Sequence, residues 1–490
     1  MKNNANLPGG SAAAFIATLL LAFGLISYVN PQSSYVLFGN VVFHVPQWDP
    51  LGERSGSDAV DAMVIEAIAV MDTNVVLDVK EPLAPFKSTP LVEQSPNLPV
   101  VKLPAPGPGQ LLFKESSSGW VKFAAALHRV KPQGDPLRII HYGDSQIEGD
   151  RMTGLLRSYF QSRYGGTGPG MQPLAPFVPH AAVKHETVGT WHRYVSFGRR
   201  DQRLTSGKYG SRGVAHTYMH DSSRKEGFDA VAHFQSRGWG SRSFRSYRRV
   251  TLSHGPITEP FELSVFSHDS LWQSGFMEPG PAGHIVLESK EPISNVSLAF
   301  KGPSPVLNHV SLDGMGGVAV DNVAMRGSSG YTFTFMDEAH FGNSLKASNV
   351  GLIILQFGGN SIPYIDSEAK AKTYGRKIQR QIQLFKRLLP EADILLVGPS
   401  DMANKEGLAW VSYPFVASVR DAMQGAAMAE GIAYFDMLEL MGGVGSMSIW
   451  ATMKPPLAGP DHIHFTSAGA RLVGKALVKA IDNELARHAH

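Results

Sequence analysis

Residues 139–150 read Ile-Ile-His-Tyr-Gly-Asp-Ser-Gln-Ile-Glu-Gly-Asp. The apolar, β-branched start is typical of a buried strand, and Gly-Asp-Ser ends that strand in a polar turn. A helix is predicted to follow, with Asp150 as its N-cap. This order sets Ser145 near the start of a helix, where free backbone N–H groups and the helix dipole favour an oxyanion. Ser145 is therefore the candidate nucleophile.

The second half of the chain alternates apolar strands with amphipathic helices. Strands are predicted at 317–321, 350–357, 392–397 and 432–435, and helices at 120–130, 369–389, 411–430 and 467–486, with a Gly- and Met-rich loop before the last helix. Such alternation indicates a parallel sheet that is covered by helices on both faces. The expected fold class is therefore α/β, a three-layer α/β/α parallel sheet.

Between residues 171 and 317 the pattern changes. Gly, Ser, His and Arg become frequent, and short alternating runs occur at 261–266, 284–288 and 296–300. Alternation with period two indicates half-buried strands separated by turns. We therefore predict an inserted β-sandwich of roughly 150 residues, the size of an ordinary small domain.

The N-terminal segment suggests a membrane location. Residues 11–29 carry no charge and are rich in Ala, Leu, Ile and Phe. A stretch of this length just spans a bilayer core of about 30 Å. Lys2 precedes it and the next Lys or Arg is Arg54, which places the rest of the chain outside the cytoplasm. An inner-membrane anchor over residues 1–30, with the catalytic domain in the periplasm or outside the cell, is favoured over a cleaved signal peptide and secretion.

Eight prolines lie between residues 82 and 108, so residues 31–112 are interpreted as an extracytoplasmic linker of extended chain. The 490 residues are 43% hydrophobic and 18% charged, which is typical of a globular protein. The absence of cysteine excludes disulfides, thiolate metal sites and a cysteine nucleophile. A net charge of +3 is too small to indicate nucleic acid, which is not an expected partner.

Ligand sites of such sheets lie at the carboxyl ends of the strands. Three of the predicted strand ends carry Ser145, Gly327 and Asn360, and an Asp-x-x-His pair, Asp461 and His464, precedes the last helix. These groups suit acyl transfer. His464 would take the proton of Ser145 and Asp461 would orient His464, while the backbone N–H groups of Ser145 and Gly327 and the Asn360 amide would bind the oxyanion. No metal and no cofactor is expected.

The order of these residues resembles the SGNH/GDSL hydrolase superfamily. The segments 143–145, 322–327, 358–360 and 461–464 resemble its first, second, third and fifth blocks, respectively. The resemblance covers 113–170 and 318–490 and implies a three-layer α/β/α serine esterase or acyltransferase that works without a metal. Gln146 replaces the usual leucine, Ser361 replaces the acid that often follows the asparagine, and His462 is the main rival of His464 as the base.

The layout is similar to peptidoglycan O-acetylesterases and polysaccharide O-acetyltransferases. The expected function is a serine-dependent O-acetylesterase acting on an acetylated envelope glycan. The alternatives are an O-acetyltransferase with the same triad, served by a membrane acyltransferase partner, and an inert glycan-binding or assembly protein. In the insert, Trp239, Arg242 and Arg245 are candidates for binding sugar rings and carboxylates, unless they form a solvated basic face with Trp239 in the sandwich core.

Overall fold

The computed structural model describes residues 34–38, 41–44, 109–237 and 241–488. The chain divides into two units, residues 1–60 and 61–490. In the first, the described part is an antiparallel hairpin of β1 (Ser34–Phe38) and β2 (Val41–His44). The predicted anchor, almost all of the proline-rich linker and Trp239 lie outside the described residues. Among the described helices, none has the length and apolar character needed to cross a bilayer.

The second unit contains the remaining elements. Before the insert lie β3 (Leu111–Leu112), α1 (Val121–His128), β4 (Leu137–Gly143) and α2 (Thr153–Tyr164). The insert contains β5 (Gly170–Gln172), β6 (Val183–Val188), β7 (Trp191–Val195), β8 (Val214–Tyr218), β9 (Ala230–Ser236), β10 (Tyr247–His254), β11 (Phe261–Ser267), β12 (Ser270–Met277), β13 (Gly283–Ile293), β14 (Asn295–Lys301) and β15 (Leu307–Asp313). After it lie β16 (Val318–Ala324), α3 (Glu338–Lys346), β17 (Val350–Gln356), α4 (Glu368–Leu388), β18 (Asp393–Val397), β19 (Ala403–Glu406), β20 (Ala409–Ser412), α5 (Val416–Glu430), β21 (Ala433–Phe435), α6 (Met437–Met441), α7 (Ser446–Thr452) and α8 (Ser467–Ala486).

The central sheet has the strand order β16-β4-β17-β18-β21-β3. Its first five strands are parallel, and the short β3 pairs antiparallel with β21. The strand β4, which leads to Ser145, lies between β16 and β17 in this sheet. The loops that follow these three neighbouring strands therefore meet at one edge, and they carry Ser145, Gly327 and Asn360. The predicted parallel sheet is confirmed.

Helices cover both faces of this sheet. On one face, Ile139 and Ile354 share a core with residues of α1, α2 and α8, among them Phe123, Leu156 and Leu477. On the other face, a second core joins alternate strand residues to α3, α4 and α5; its members include Ile140, Ile353, Leu396, Phe341, Ile382 and Val419. Because both faces are buried, the strands read as continuous apolar runs rather than as alternating patterns.

The insert forms two antiparallel sheets. One has the order β13-β10-β15-β8-β7, with β5 also paired to β15, and the other has the order β12-β11-β14-β9-β6. A shared core lies between them, to which Leu252 and Val310 contribute from the first sheet and Phe234 and Leu298 from the second. This arrangement is a β-sandwich, and its strands β5 and β15 lead directly out of and back into the α/β sheet.

The structure departs from the predicted elements in three places. Residues 409–412 form β20 of a hairpin, so the helix predicted over 411–430 begins only at Val416. The Gly- and Met-rich loop contains the short helices α6 and α7. The prediction of Asp150 as an N-cap is also wrong, because its carboxylate instead accepts a hydrogen bond from buried Arg157 at 3.0 Å and α2 begins after Met152 without a side-chain cap.

Candidate active site

Ser145 lies in the turn that directly follows β4. It is the first residue of a short 3₁₀ segment, Ser145–Asp150, and Asp144 caps this segment by accepting a hydrogen bond from the Gln146 N–H at 3.0 Å. The side chain of Ser145 sits at a buried position, with 8% of the residue exposed. The strand and the cap together fix the serine oxygen at the carboxyl edge of the sheet.

The structure brings His464 and Asp461 to Ser145. The Ser145 Oγ lies 2.8 Å from His464 Nε2, and His464 Nδ1 lies 2.6 Å from Asp461 Oδ2. The second contact places the proton of a neutral imidazole on Nδ1, which donates to the carboxylate and leaves Nε2 free to accept from the serine hydroxyl. This is the geometry of a nucleophile, a general base and an orienting acid.

Asp461 is held as a carboxylate by its surroundings. Burial alone would raise its pKa, but the hydrogen bond and charge of His464 and the backbone N–H groups of Ile463 and His464 lower the pKa below its usual value. Both backbone bonds, at 3.1 Å, reach Oδ1, so Oδ2 is left for the ring of His464. The carboxylate of Asp461 is therefore ionised at neutral pH, and its Oδ2 faces the ring of His464.

The loop that carries His464 is tied to the turn of Ser145 by Gln146 and Arg151. Gln146 donates to the Ile463 carbonyl at 2.7 Å and accepts from the Phe465 N–H at 3.2 Å, so its amide contacts both residues next to the histidine. Arg151 donates to the Phe465 carbonyl at 2.6 Å. Sequence reasoning missed both residues as positioning groups. The departure of Gln146 from the family pattern was the available signal, because a buried amide at that position needs polar partners.

Asn360 joins the three loops at the sheet edge. Its Nδ2 donates to Asp144 Oδ2 and to the Ser328 carbonyl, each at 3.3 Å. Ser328 belongs to the loop after β16, in which Gly327 adopts a φ of +78°. A side chain there would be strained, which explains a glycine at this turn. Ser145, Gly327 and Asn360 are thus brought to one edge of the sheet.

Asp144 gives the site a pH-dependent stability. Burial raises its pKa to about 6, although the Gln146 N–H, the charge of His464 and the Asn360 amide favour the ionised form. A carboxyl whose pKa is raised on folding contributes stability below its unfolded pKa, and this stability is lost as the pH rises through the folded value. The stability that Asp144 contributes is therefore lost between about pH 4 and pH 6.

We expect Asp144→Asn to remove this pH dependence. The unfolding free energy of the wild type should fall, relative to that of the variant, by about 3 kcal/mol as the pH rises from 4 to 7, because one pKa unit corresponds to about 1.4 kcal/mol. Urea unfolding of both proteins at intervals across this range measures the difference. Parallel stability curves would show that Asp144 does not titrate in this window.

His462 does not face the serine in this structure. Its ring stacks on Trp410 of the β19–β20 hairpin, with ring centroids 4.0 Å apart and an interplanar angle of 7°. Burial lowers the pKa of His462. Its backbone has a φ of +53°, which turns the chain so that His464 rather than His462 reaches Ser145. The hydrogen-bond geometry therefore favours His464 as the base.

A cavity of about 390 Å³ adjoins the turn of Ser145. Residues of the insert and of the α/β sheet line it together, including Phe177, Arg193, Arg212, Arg237, Glu148 and Arg326. The two arginines predicted to bind substrate, Arg242 and Arg245, are exposed on the insert and are not among the lining residues. Their role in substrate binding stays a prediction, and the insert arginines that line this cavity lie elsewhere in the insert.

Similar folds are known among solved structures. A peptidoglycan O-acetylesterase matches with a TM-score of 0.60 and 20% identity, over 77% of this chain and 99% of that chain. A salicylyl-acyltransferase of a tetracycline biosynthetic pathway (12% identity, TM-score 0.28, 64% and 97% covered) and a family two carbohydrate esterase from Cellvibrio japonicus (9%, 0.24, 62% and 99%) match far less closely. No protein-family model matches the sequence, and no curated protein sequence matches it significantly.

These observations define the class of fold. The three-layer sheet, the order of the motif residues along it and the likeness to the peptidoglycan O-acetylesterase structure together give an SGNH/GDSL hydrolase fold. The resemblance seen in the sequence is confirmed at the level of the fold. Within residues 109–237 and 241–488, no group of three or more His, Asp or Glu side chains is placed to hold a metal ion.

Proposed function

We propose that this protein is a serine-dependent O-acetylesterase that removes acetyl groups from an envelope glycan. The observation that carries the proposal is the hydrogen-bonded series from Ser145 Oγ to His464 Nε2 at 2.8 Å and from His464 Nδ1 to Asp461 Oδ2 at 2.6 Å. Its position at the carboxyl edge of a parallel sheet, in a fold shared with a peptidoglycan O-acetylesterase, supports an acetylated glycan as the substrate.

The first half-reaction makes an acyl-enzyme. His464 Nε2 takes the proton of Ser145 Oγ as the oxygen attacks the acetyl carbonyl carbon, and Asp461 stabilises the imidazolium that forms. The negative charge on the carbonyl oxygen is met by the N–H groups of Ser145 and Gly327 and by the Asn360 amide. His464 then gives its proton to the sugar oxygen, the ester bond breaks, and the acetyl group stays on the serine.

The second half-reaction frees the serine. Water loses a proton to His464 and attacks the acetyl-enzyme, and acetate leaves as the proton returns to Ser145 Oγ. A sugar hydroxyl in place of water would give O-acetyltransfer with the same residues. The cavity beside Ser145 is where either the glycan that is deacetylated or the glycan that accepts the acetyl group would lie.

The proposal is tested with the full-length chain. Acetate release and acetyl transfer are followed from 4-nitrophenyl acetate, with and without chito-oligosaccharide acceptors, for the wild type and Ser145→Ala. Serine-dependent acetate release that acceptors leave unchanged supports the esterase, and serine-dependent acetylated sugar supports the transferase. Glycan binding with no turnover by the wild type would overturn both and leave an inert binding protein.

We expect Asn360→Ala to lower kcat by about 10²- to 10³-fold, the usual effect of removing one oxyanion donor. The amide's two bonds in the free protein are 3.3 Å long, so a developing oxyanion can replace one of them at little cost. KM should change by much less, because the interaction forms in the transition state. Steady-state kinetics with 4-nitrophenyl acetate gives both values, and a change in KM alone would contradict this role.

The location in the envelope is part of the proposal. It depends on residues 11–29, which are apolar and uncharged and lie outside the described residues. Fractionation of cells that produce the full-length chain, followed by mass determination of its N-terminus, separates an anchored protein from a cleaved and secreted one.

A further inference from the structure

The cavity beside Ser145 concentrates positive charge. Four arginines and Lys184 line it. One of the arginines, Arg326, donates to Glu148 at 2.7 and 2.8 Å, and Lys184 pairs with Glu186 at 2.9 Å. These two ion pairs use both acidic side chains of the lining. The remaining three arginines therefore set the charge of the cavity.

Arg193, Arg212 and Arg237 form no direct ion pair with a carboxylate in the part of the chain that the structure describes. The charges of Glu148 and Asp321 act on Arg193 and Arg212, respectively, from a longer distance. Arg212 is buried, with 7% exposed, and donates to two backbone carbonyls, while its Nε has no partner. The Nε of Arg237 is likewise buried without a partner. Burial lowers the pKa values of Arg193 and Arg212 to about 10, so both stay charged at neutral pH. Buried guanidinium N–H groups without a partner, such as those of Arg212 and Arg237, favour an anion.

Arg193 packs against an aromatic ring of the cavity lining. Its guanidinium lies over the ring of Phe177 at 4.7 Å, and that of Arg326 lies over the same ring at 5.0 Å. Phe177 is 55% exposed, which is unusual for a large apolar side chain in a cavity wall. An exposed ring beside guanidinium groups provides a stacking surface for a sugar next to hydrogen-bond donors for its acidic group.

The cavity adjoins two of the segments that carry the reaction site. Glu148 belongs to the 3₁₀ segment that begins at Ser145, and Arg326 precedes Gly327 in the loop after β16. The lining of the cavity therefore includes residues of the two segments that also carry Ser145 and Gly327. The volume of about 390 Å³ is at the lower end of the range for small-ligand sites, which suits one sugar ring and its substituent.

We propose that this cavity binds a carboxylate of the acetylated glycan, so that the substrate is an anionic polymer. This inference rests on the proposed function and names its substrate class. Arg193 is the group that binds the carboxylate directly. Arg212 and Arg237 contribute positive electrostatic potential that favours a negatively charged ligand in the cavity. The carboxylate can belong to an acidic sugar or to a peptide attached to the sugar, and the recognition chemistry is the same for both.

The test compares substrates that differ in charge. Initial rates of acetate release are measured with three O-acetylated probes of similar length: a chito-oligosaccharide, an oligo-uronate and a muramoyl-peptide oligosaccharide. A fourth probe, 4-nitrophenyl acetate, reports the chemistry without a glycan. The proteins are the wild type, Arg193→Gln and the control Arg200→Gln, which removes an exposed arginine of the insert that does not line the cavity.

We expect Arg193→Gln to lower kcat/KM for an anionic probe by about 10- to 100-fold, the range for a hydrogen bond to a charged group. The rates with 4-nitrophenyl acetate and the neutral chito-oligosaccharide should stay within a few-fold of wild type, and Arg200→Gln should match wild type throughout. The acidic probe that loses rate identifies the source of the carboxylate. Equal losses on neutral and anionic probes, or none, would overturn the inference.

A binding measurement separates this inference from the proposed function. Calorimetry with deacetylated oligo-uronate and muramoyl-peptide probes is run on wild type, Arg193→Gln and Ser145→Ala. If the wild type has no esterase activity but binds these probes in an Arg193-dependent way, the proposed function is overturned and the anionic site is kept. If esterase activity depends on Ser145 but neither probe binds in an Arg193-dependent way, the proposed function is kept and the anionic site is overturned.

Discussion

Ser145→Ala should lower kcat for 4-nitrophenyl acetate by about 10⁴- to 10⁶-fold, leaving only the small rate that an oxyanion site and binding provide without a nucleophile. The reason is specific to this site: Ser145 Oγ is the atom that lies 2.8 Å from His464 Nε2. Alanine removes that atom and leaves the histidine with no proton to take. Single-turnover and steady-state rates should fall together.

The loss must be separated from a loss of folding. The serine side chain makes one hydrogen bond at a buried position, so its removal should lower the free energy of unfolding by about 1 kcal/mol. Urea unfolding checks this. Ser162→Ala removes a hydroxyl of α2 whose one hydrogen bond among the described residues is to the Tyr159 carbonyl, and it should keep full activity. If Ser145→Ala kept the wild-type rates, Ser145 would not be the nucleophile and the Gly-Asp-Ser turn would have only a structural role.

The sequence predicted best those features that depend on local pattern. The last helix begins and ends as predicted, at Ser467–Ala486, because an amphipathic period of about 3.6 continues through it and Thr466 caps it. The buried strands β4 and β17 were recognisable as apolar runs that end in Gly. Since parallel strands align their carboxyl ends, the site residues that follow them could be predicted to meet.

Features that depend on distant partners could not be predicted in this way. Gln146 contacts the loop of His464 across more than 300 residues of sequence. Asp150 has the residue type and position of an N-cap, but the buried Arg157 competes for its carboxylate. Residues 409–412 continue an apolar pattern into α5, and only their pairing with β19 makes them a strand. In each case a tertiary contact outweighed the local preference.

The arginine cavity shows the same limit for a binding surface. Arg242 and Arg245 form a dense local cluster in the sequence. By contrast, Arg193, Arg212 and Arg237 are spread over 45 residues and converge only in the folded insert, to which two different sheets contribute. Local density indicates a basic surface. It does not show which arginines converge on one cavity without a direct ion pair, and that is the property on which the proposed anion site depends.

Asp461→Asn should lower kcat by about 10⁴-fold, the size of effect that this change has in other serine triads. Asp461 Oδ1 accepts two backbone N–H groups at 3.1 Å, and Oδ2 accepts from His464 Nδ1 at 2.6 Å. Asparagine has one acceptor oxygen, so keeping the backbone bonds turns its NH₂ toward the ring. That NH₂ donates to Nδ1, which moves the ring proton to Nε2, where the serine needs a lone pair.

The ring tautomer distinguishes this mechanism from simple unfolding. Nitrogen-15 NMR of histidine-labelled protein should show the His464 proton on Nδ1 in the wild type and on Nε2 in Asp461→Asn, with unchanged urea unfolding. His462→Asn is the matched control, because asparagine tolerates the φ of +53° and the stacked ring has no contact with Ser145. It should keep kcat within a few-fold. If His462→Asn lost the activity and Asp461→Asn kept it, His462 rather than His464 would be the base.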